Sequence, residues 1–224
     1  VGLLLENGTS NLLIRSEELD NAAWTATAAV TANAAQSPAD TTTADQLDDS
    51  SAAALQGVSQ SITTSLTRLS AAGCYVRAGT ATSVTVSMTG TGNSAGNCSA
   101  TSTGLSSTTW RRVWCGSTAA YGAGLTAVTV AVNVGTAASD TGTIMVWGCQ
   151  FEQVNPATSG LGQAFLTSYI TTTTALVGRN SDTTGSLGAT FASSMANRGS
   201  SAATLVLPYA PTAGLQGTGS ATYG

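Results

Sequence analysis

Apolar and polar residues alternate over many short segments of this sequence. Residues 84–88 read Val-Thr-Val-Ser-Met, and residues 128–134 read Val-Thr-Val-Ala-Val-Asn-Val. A period of two is typical of a strand with one buried face. Clusters of Gly, Asn, Ser and Pro separate such segments, which favours tight turns over helices. The pattern predicts an all-β sandwich or barrel, with further strands at 12–15, 26–33, 44–47, 57–62, 69–77, 98–101, 109–116 and 143–154.

Two distinctive segments enclose this series of strands. The opening segment is residues 11–24, Asn-Leu-Leu-Ile-Arg-Ser-Glu-Glu-Leu-Asp-Asn-Ala-Ala-Trp. The closing segment combines residues 146–152, Val-Trp-Gly-Cys-Gln-Phe-Glu, with residues 167–170, Thr-Ser-Tyr-Ile. No helical period lies between the two segments. We therefore expect them to be the first and last strands of one unit and to lie side by side.

A second domain is expected to follow this unit. Residues 179–185 are polar and turn-forming, which predicts a boundary near residue 180. Beyond it, residues 203–209 look like one more strand that a proline closes. We expect residues 1–180 to form the main sandwich, and residues 181–224 to be a linker and the opening of a second, incomplete β-domain.

The composition indicates a surface of hydroxyl and amide groups. Only 8% of the 224 residues are charged, against about 25% in ordinary soluble domains, while 42% are hydrophobic and the net charge is −4. Such a surface repels copies of itself weakly, which suits a protein packed permanently against its partners. An acidic chain without a basic run is not expected to bind nucleic acid. No apolar run approaches the roughly 18 residues of a membrane span, so no membrane insertion is expected.

No catalytic site is predicted, because the chain contains no His and its acidic residues are not visibly paired. The spacing of the carboxylates selects no opposed pair of the glycosidase kind. Calcium binding at residues 45–50 is an alternative to an ordinary polar strand end, although the Gly-containing loop of an EF-hand is missing. We expect no enzyme activity, no cofactor and no metal. The acidic residues concerned are Glu17, Glu18, Asp20, Asp40, Asp45, Asp48, Asp49, Asp140, Glu152 and Asp182.

Aromatic and arginine side chains are predicted to share strand faces. Trp110, Arg112 and Trp114 are spaced two apart, and Tyr75 and Arg77 repeat the pairing on another strand. One hypothesis is a sugar-binding platform, in which the rings stack on sugar faces and the arginines donate to hydroxyls. The alternative is that rings and guanidinium groups stack on each other, or that a neighbouring subunit covers them. Core or sheet-closing roles are predicted for Trp24 and Trp147.

The order of several small motifs resembles a module that recurs in tailed-phage virion proteins. The resemblance covers about residues 2–180 and implies an antiparallel jelly-roll β-sandwich of the carbohydrate-binding-module type. Tail fibres, appendages and capsid decorations are proteins of this kind, often with a lectin-like sandwich after the module. The motifs lie at 2–6, 11–13, 16–18, 21–24, 38–45, 58–61, 75–79, 110–113, 146–152 and 167–172.

The resemblance implies a location on the virion surface or otherwise outside the cell. Its partners would be copies of the chain, other virion proteins and a host-surface glycan. The alternative is a secreted bacterial surface or filament protein whose sandwich binds polysaccharide. The absence of Lys and the presence of four Cys depart from the family pattern.

Four cysteines, Cys74, Cys98, Cys115 and Cys149, permit three sets of two disulfides. Disulfides are favoured over zinc, because no C-x-x-C spacing and no His are present. The preferred pairing is Cys98 with Cys115, on strands consecutive in sequence, and Cys74 with Cys149, between an early strand and the closing one. The sandwich topology that the resemblance implies allows this pairing.

Overall fold

Strands account for the regular structure of the described chain. The computed structural model describes residues 9–63, 68–154 and 164–179, none of which lies in a helix. All of them belong to one compact unit. The strands are β1 (Thr9–Asn11), β2 (Thr25–Ala26), β3 (Ala29–Ala35), β4 (Ala44–Asp49), β5 (Gly57–Ile62), β6 (Leu69–Ala78), β7 (Val84–Thr91), β8 (Cys98–Ser102), β9 (Arg111–Gly116), β10 (Ala127–Val134), β11 (Gly142–Val154) and β12 (Val177–Arg179).

Two five-stranded sheets form a sandwich. The front sheet has the strand order β2-β5-β10-β7-β8, and the back sheet has the order β3-β4-β11-β6-β9. Neighbouring strands are antiparallel in both sheets. A separate antiparallel ribbon pairs β1 with β12. The prediction of an all-β, antiparallel jelly-roll sandwich is confirmed.

The core lies between the two sheets and follows from the period-two pattern. In β10, the four valines are fully buried and the residues between them are half-buried. The facing side chains of the back sheet are apolar, and Phe151 is among the largest that are fully buried. Burying an aliphatic or aromatic side chain stabilises the fold by about 1.5–3 kcal/mol. The back-sheet members of the core include Leu47, Ala72, Val76, Ile144, Val146 and Phe151.

A bulge in β11 changes which side chains face outward. Trp147 pairs with Tyr75 and Gln150 pairs with Gly73, so Gly148 and Cys149 together oppose a single residue of β6. Gly148 has φ +61°, the left-handed conformation that glycine adopts most easily. Because one extra residue is inserted, Gln150 faces outward like Trp147.

Two disulfides join the strands. Cys74–Cys149 links the neighbouring strands β6 and β11 at the bulge. Cys98–Cys115 links β8 to β9, which are edge strands of the front and back sheets. These are the pairs that were preferred from the sequence and the resemblance.

The opening segment lies beside the closing one, as expected, but it is not a regular strand. The predicted strand at 12–15 is wrong, since β1 ends at Asn11. The segment still runs along β11, where the Leu12 amide donates to the Phe151 carbonyl at 2.8 Å. Farther along, the Cys149 amide donates to the Ser16 carbonyl at 2.9 Å. The predicted strand character of residues 167–170 is wrong as well.

The predicted strand at 26–33 is divided between the two sheets. It corresponds to β2 of the front sheet and β3 of the back sheet. At the break, the amides of Thr27 and Ala28 both donate to the Gly57 carbonyl, at 2.8 and 3.1 Å. These two bonds occupy the amides where the chain leaves one sheet for the other.

The predicted boundary near residue 180, the strand at 203–209 and the second β-domain lie outside the described residues. Within residues 9–63, 68–154 and 164–179, no helix has the length and apolar character to cross a membrane.

Candidate functional site

The structure brings the five predicted aromatic and arginine residues together on the outer face of the back sheet. Tyr75 and Arg77 lie on β6, Arg112 and Trp114 lie on the adjacent β9, and Trp110 precedes β9. In the antiparallel register Tyr75 is opposite Arg112. The alternating residues of both strands point into the core, which leaves these five side chains on the opposite face.

Guanidinium groups lie over aromatic rings at two points of this face. The guanidinium carbon of Arg77 is 5.1 Å from the ring centroid of Trp110. That of Arg112 is 5.5 Å from the ring centroid of Tyr75. Both distances are within the range of a cation–π interaction. The ring-and-guanidinium stacking of the alternative hypothesis is therefore present in the folded chain.

Residues 164–173, called the strap here, cover part of the same face. Phe165 of the strap packs on Trp114 with ring centroids 5.3 Å apart. Arg112 donates from Nη1 to the Thr167 carbonyl at 2.5 Å and from Nη2 to Gln150 Oε1 at 3.3 Å. Trp114 and Arg112 thus hold the strap on the sheet, and neither presents a free platform.

A buried polar pair lies beneath the strap. Gln150 and Glu152 are fully buried. The Glu152 carboxylate accepts hydrogen bonds from the Thr167 amide at 3.1 Å, the Thr167 hydroxyl at 2.5 Å and Gln150 Nε2. The Ile170 amide donates to Gln150 Oε1 at 3.0 Å. Because these bonds satisfy the carboxylate locally, Glu152 serves to anchor the strap.

Sequence reasoning assigned this pair no role on the outer face. In an unbroken strand, the outward position of Trp147 would be followed by outward positions at 149 and 151. The bulge moves Gln150 and Glu152 outward instead. The glycine at position 148 is the local signal of this change.

An aromatic cluster joins the strap to the opening segment. Tyr169 packs on Trp147 with ring centroids 4.7 Å apart, and on Tyr75 at 6.3 Å. The Tyr169 hydroxyl lies 2.7 Å from Ser16 Oγ and donates to Glu17 Oε1 at 3.2 Å. Burial raises the pKa of Tyr169 above its ordinary value of 10.0, so the phenol stays protonated and a donor.

The end of the face beyond the strap remains open. Arg77, Met145 and Gln46 form one cross-strand row, and Trp110 lies beside Arg77. All four are half-buried. Arg77 Nε is buried and has no hydrogen-bond partner within the described residues. This end, called the open platform here, combines an indole ring, a guanidinium group, a thioether and an amide.

Two acidic residues of β4, Asp45 and Asp49, accept hydrogen bonds from backbone amides. No group of three or more His, Cys, Asp or Glu side chains is placed to hold a metal ion there. Asp45 accepts from the amides of Leu19 and Asn33 at 2.6 and 2.9 Å. Asp49 accepts from the amides of Ser51 and Gln56, both at 2.8 Å. The two carboxylates therefore serve as backbone acceptors, and Asp182 lies outside the described residues.

Asp45 is expected to make stability depend on pH. Burial raises its pKa above 3.8, although the amides of Asn33 and Leu19 act in the opposite direction. Because the folded protein holds this proton more tightly than the unfolded chain, its contribution to stability is complete below pH 3.8 and is lost as the pH rises through the raised pKa. We expect Asp45→Asn to remove this loss from the curve of unfolding free energy against pH, measured by urea denaturation.

Asp140 provides a control of opposite sign. The amides of Thr136 and Ala137 lower the pKa of this carboxyl below 3.8. Its contribution is present above pH 3.8 and is lost as the pH falls through the lowered pKa. The difference curves of Asp45→Asn and Asp140→Asn should therefore slope in opposite directions. An Asp45→Asn curve parallel to that of the wild type would contradict the assignment.

No protein-family model and no curated protein matches the sequence. Similar solved structures include the enzymatically active domain of tailspike protein 4 of bacteriophage CBA120. It shares 16% identity at a TM-score of 0.47, and the match covers 64% of this chain and 21% of the tailspike chain. The chain therefore matches only about a fifth of that protein's length.

Two carbohydrate-binding modules are also similar. TmCBM61, solved with β-1,4-galactotriose, shares 12% identity at a TM-score of 0.48, over 64% of this chain and 99% of the module. The CBM22-1 xylan-binding domain of Paenibacillus barcinonensis Xyn10C shares 14% identity at a TM-score of 0.43, over 66% of this chain and 93% of that domain. At such identities the similarity concerns the fold alone.

Proposed function

We propose that this chain is a non-catalytic adhesion and packing module of a virion surface, a fibre, appendage or capsid decoration, and that the open platform binds glycan. The observation that carries the glycan site is the pairing of Trp110 with Arg77 on the part of the face that the strap leaves open. Among the described residues, the strap contacts that fix Arg112 and Trp114 do not extend to Trp110 and Arg77.

The chemistry of the open platform suits a neutral sugar. The indole of Trp110 offers a flat apolar surface to the C–H face of a pyranose ring. Arg77 places its guanidinium donors beside this ring, and Gln46 supplies both an amide donor and an acceptor. A ring and directed polar groups on one rigid sheet are the elements of a small ligand site.

The outer face of the front sheet supports the packing role. Its side chains are hydroxyl, amide or methyl groups, and none of them carries a charge. Such a face generates no like-charge repulsion when copies of the chain meet. The outward residues are Thr25, Ser59, Ser61, Thr85, Ser87, Thr89, Thr91, Ser99, Thr101, Ala127, Thr129, Ala131 and Asn133.

The two disulfides support a location outside the cell. Disulfides persist in oxidising environments, among them virion and cell surfaces. The same observation suits the alternative, a secreted bacterial surface or filament protein with a polysaccharide-binding sandwich. Immunogold labelling of purified virions and of host cells distinguishes the two, because only a virion component labels the particle.

Glycan-array binding tests the open platform. We expect Trp110→Ala to weaken binding of the best glycan by about tenfold or more, since a stacked ring contributes on the order of 1 kcal/mol beyond its buried area. Arg77→Met keeps an unbranched side chain and removes the hydrogen-bond donors, so it should weaken binding of the same glycan.

Arg111→Gln is the matched control, because Arg111 directly follows Trp110 and its Nη1 donates to Ser102 Oγ and to the Thr103 carbonyl, at 2.9 and 3.3 Å. The affinity of the Arg111→Gln variant for the glycan should equal that of the wild type. Unchanged binding in Trp110→Ala, with the fold intact by circular dichroism, would remove the platform from the proposal.

A further inference from the structure

The polar groups buried beneath the strap include the parts of an acyl-transfer site. Thr167 carries a hydroxyl, Gln150 carries a carboxamide carbon, and both groups bond to the Glu152 carboxylate. A hydroxyl nucleophile on a carboxylate base, next to a carbonyl group, is the arrangement that general-base acyl transfer requires. Gln150 and Glu152 are fully buried, so bulk water is kept from the carbonyl carbon.

Glu152 contacts both reacting groups through one oxygen atom. The Thr167 hydroxyl donates to Glu152 Oε1 at 2.5 Å, and Gln150 Nε2 donates to the same oxygen. The hydroxyl and Nε2 also both donate to the Ser168 carbonyl, at 3.4 and 3.3 Å. These shared acceptors hold the hydroxyl beside the amide, so no encounter between separate molecules is needed. The bond from the hydroxyl to the carboxylate gives the proton a direct route to Glu152.

Two donors meet at Gln150 Oε1, the oxygen on which negative charge develops when a nucleophile adds to the carbonyl carbon. The Ile170 amide donates to this oxygen at 3.0 Å, and Arg112 Nη2 donates to it at 3.3 Å. A backbone amide and a guanidinium group in these positions stabilise such an oxyanion. The amide oxygen faces two donors and the amide nitrogen faces two acceptors, so the network favours a single orientation of the Gln150 side chain.

We propose that Thr167 and Gln150 join in an intramolecular ester, which the folded chain forms once and by itself. Glu152 takes the hydroxyl proton while Thr167 Oγ1 bonds to Gln150 Cδ, and an electron pair of the C=O double bond moves to Oε1. When the double bond forms again, the bond between Cδ and Nε2 breaks. Nε2 takes the proton from Glu152 and leaves as ammonia, which restores the Glu152 carboxylate.

The ester fastens the strap to β11 by a covalent bond. Hydrogen bonds break whenever the local structure opens, whereas an ester keeps residues 150 and 167 joined even in the unfolded chain. The chain contains no Lys, and its four cysteines form disulfides, so hydroxyl groups are the nucleophiles left for such a cross-link. The inference does not depend on the open platform, because the reacting groups are different ones.

Mass spectrometry of the intact 224-residue chain, reduced and alkylated at neutral pH, tests the ester. We expect the wild type to weigh about 17 Da less than its sequence predicts, the mass of one ammonia. Chymotrypsin cuts after Phe151 and Phe165, yet the peptides of Gln150 and Thr167 should remain joined. Hydroxylamine should separate them, because it cleaves esters and leaves amides intact.

Variants locate the chemistry on single groups. Thr167→Val keeps the shape of the side chain and removes the nucleophile, and Glu152→Gln removes the base, so both should have the full mass. Thr167→Ser retains a hydroxyl and should still lose ammonia. Thr171→Val is the matched control, because the Thr171 hydroxyl also donates to a glutamate, Glu17 Oε1 at 3.0 Å. Its removal should leave the cross-link in place.

The mass of the wild type decides the inference even where a variant fails to fold. A folded wild type of full mass would overturn the ester and leave Thr167 and Gln150 joined by hydrogen bonds alone. A loss of about 17 Da that persists in Thr167→Val would overturn it too, because cyclisation of an asparagine also releases ammonia. A loss of about 18 Da, the mass of water, would indicate an ester of Thr167 with Glu152 and would remove Gln150 from the reaction.

Discussion

Asn11→Ala is expected to lower the free energy of unfolding by about 3–5 kcal/mol, because it orphans four buried backbone groups at once. Asn11 is fully buried. Its Nδ2 donates to the carbonyls of Cys149 and Ile170 at 3.1 and 2.9 Å, and its Oδ1 accepts from the amides of Leu13 and Phe151 at 3.1 and 3.0 Å. One side chain thus joins the opening segment, β11 and the strap. Urea denaturation followed by tryptophan fluorescence measures the loss.

Two further variants sharpen this test. Asn11→Asp keeps the shape but places an oxygen against two carbonyls, so it should also destabilise strongly. Asn97→Ala is the control: the Asn97 side chain accepts one exposed bond, from the Gly90 amide at 2.7 Å. That change should cost about 1 kcal/mol or less. Equal losses at positions 11 and 97 would show that the buried network does not hold the segments together.

Removing the Cys74–Cys149 bridge is expected to have the second large effect. The bridge spans 75 residues, and closing a loop of that length restricts the unfolded chain by about 4 kcal/mol in the chain-entropy account. We expect the double variant Cys74→Ala and Cys149→Ala to lose stability of this order. Both cysteines are fully buried in the core, so the two missing sulfur atoms add to the loss.

The second bridge provides the comparison. Cys98–Cys115 spans 17 residues, for which the same account gives about 3 kcal/mol. The double variant Cys98→Ala and Cys115→Ala should therefore lose less than the Cys74–Cys149 variant in the same denaturation series. Thiol counting in denaturant without reductant should find no free thiol in the wild type. Four free thiols, or wild-type stability in both variants, would contradict the pairing.

Much of the sandwich was predictable because its strands carry a strong local signal. The alternation of Val84, Val86 and Met88, and that of the valines of β10, predicts strands that the structure contains as β7 and β10. The segment 57–62 coincides with β5. The predicted strand at residues 12–15 is wrong, because a side chain replaces backbone pairing there. The Asn11 side chain accepts a hydrogen bond from the Phe151 amide, which would otherwise bond to a strand partner.

The sequence predicted which residues share the face of the candidate site, but not which of them the strap leaves exposed. Spacing by two placed Arg112 and Trp114 on one face, and they lie there. The strap covers Arg112 and Trp114 and leaves Trp110 and Arg77 open. This difference depends on contacts between residues far apart in the sequence, such as Arg112 and Thr167, which are 55 residues apart. No local pattern carries such information.

The sequence by itself determined the all-β class, the position of most strands and the weakly charged surface, because strand period, turn residues and composition are local or additive properties. Only the tertiary structure decided which strands are neighbours, how the bulge at Gly148 turns Gln150 and Glu152 outward, and where Arg112 meets the strap. These features arise from pairing and packing between distant segments, whose register is set by the whole buried interface at once.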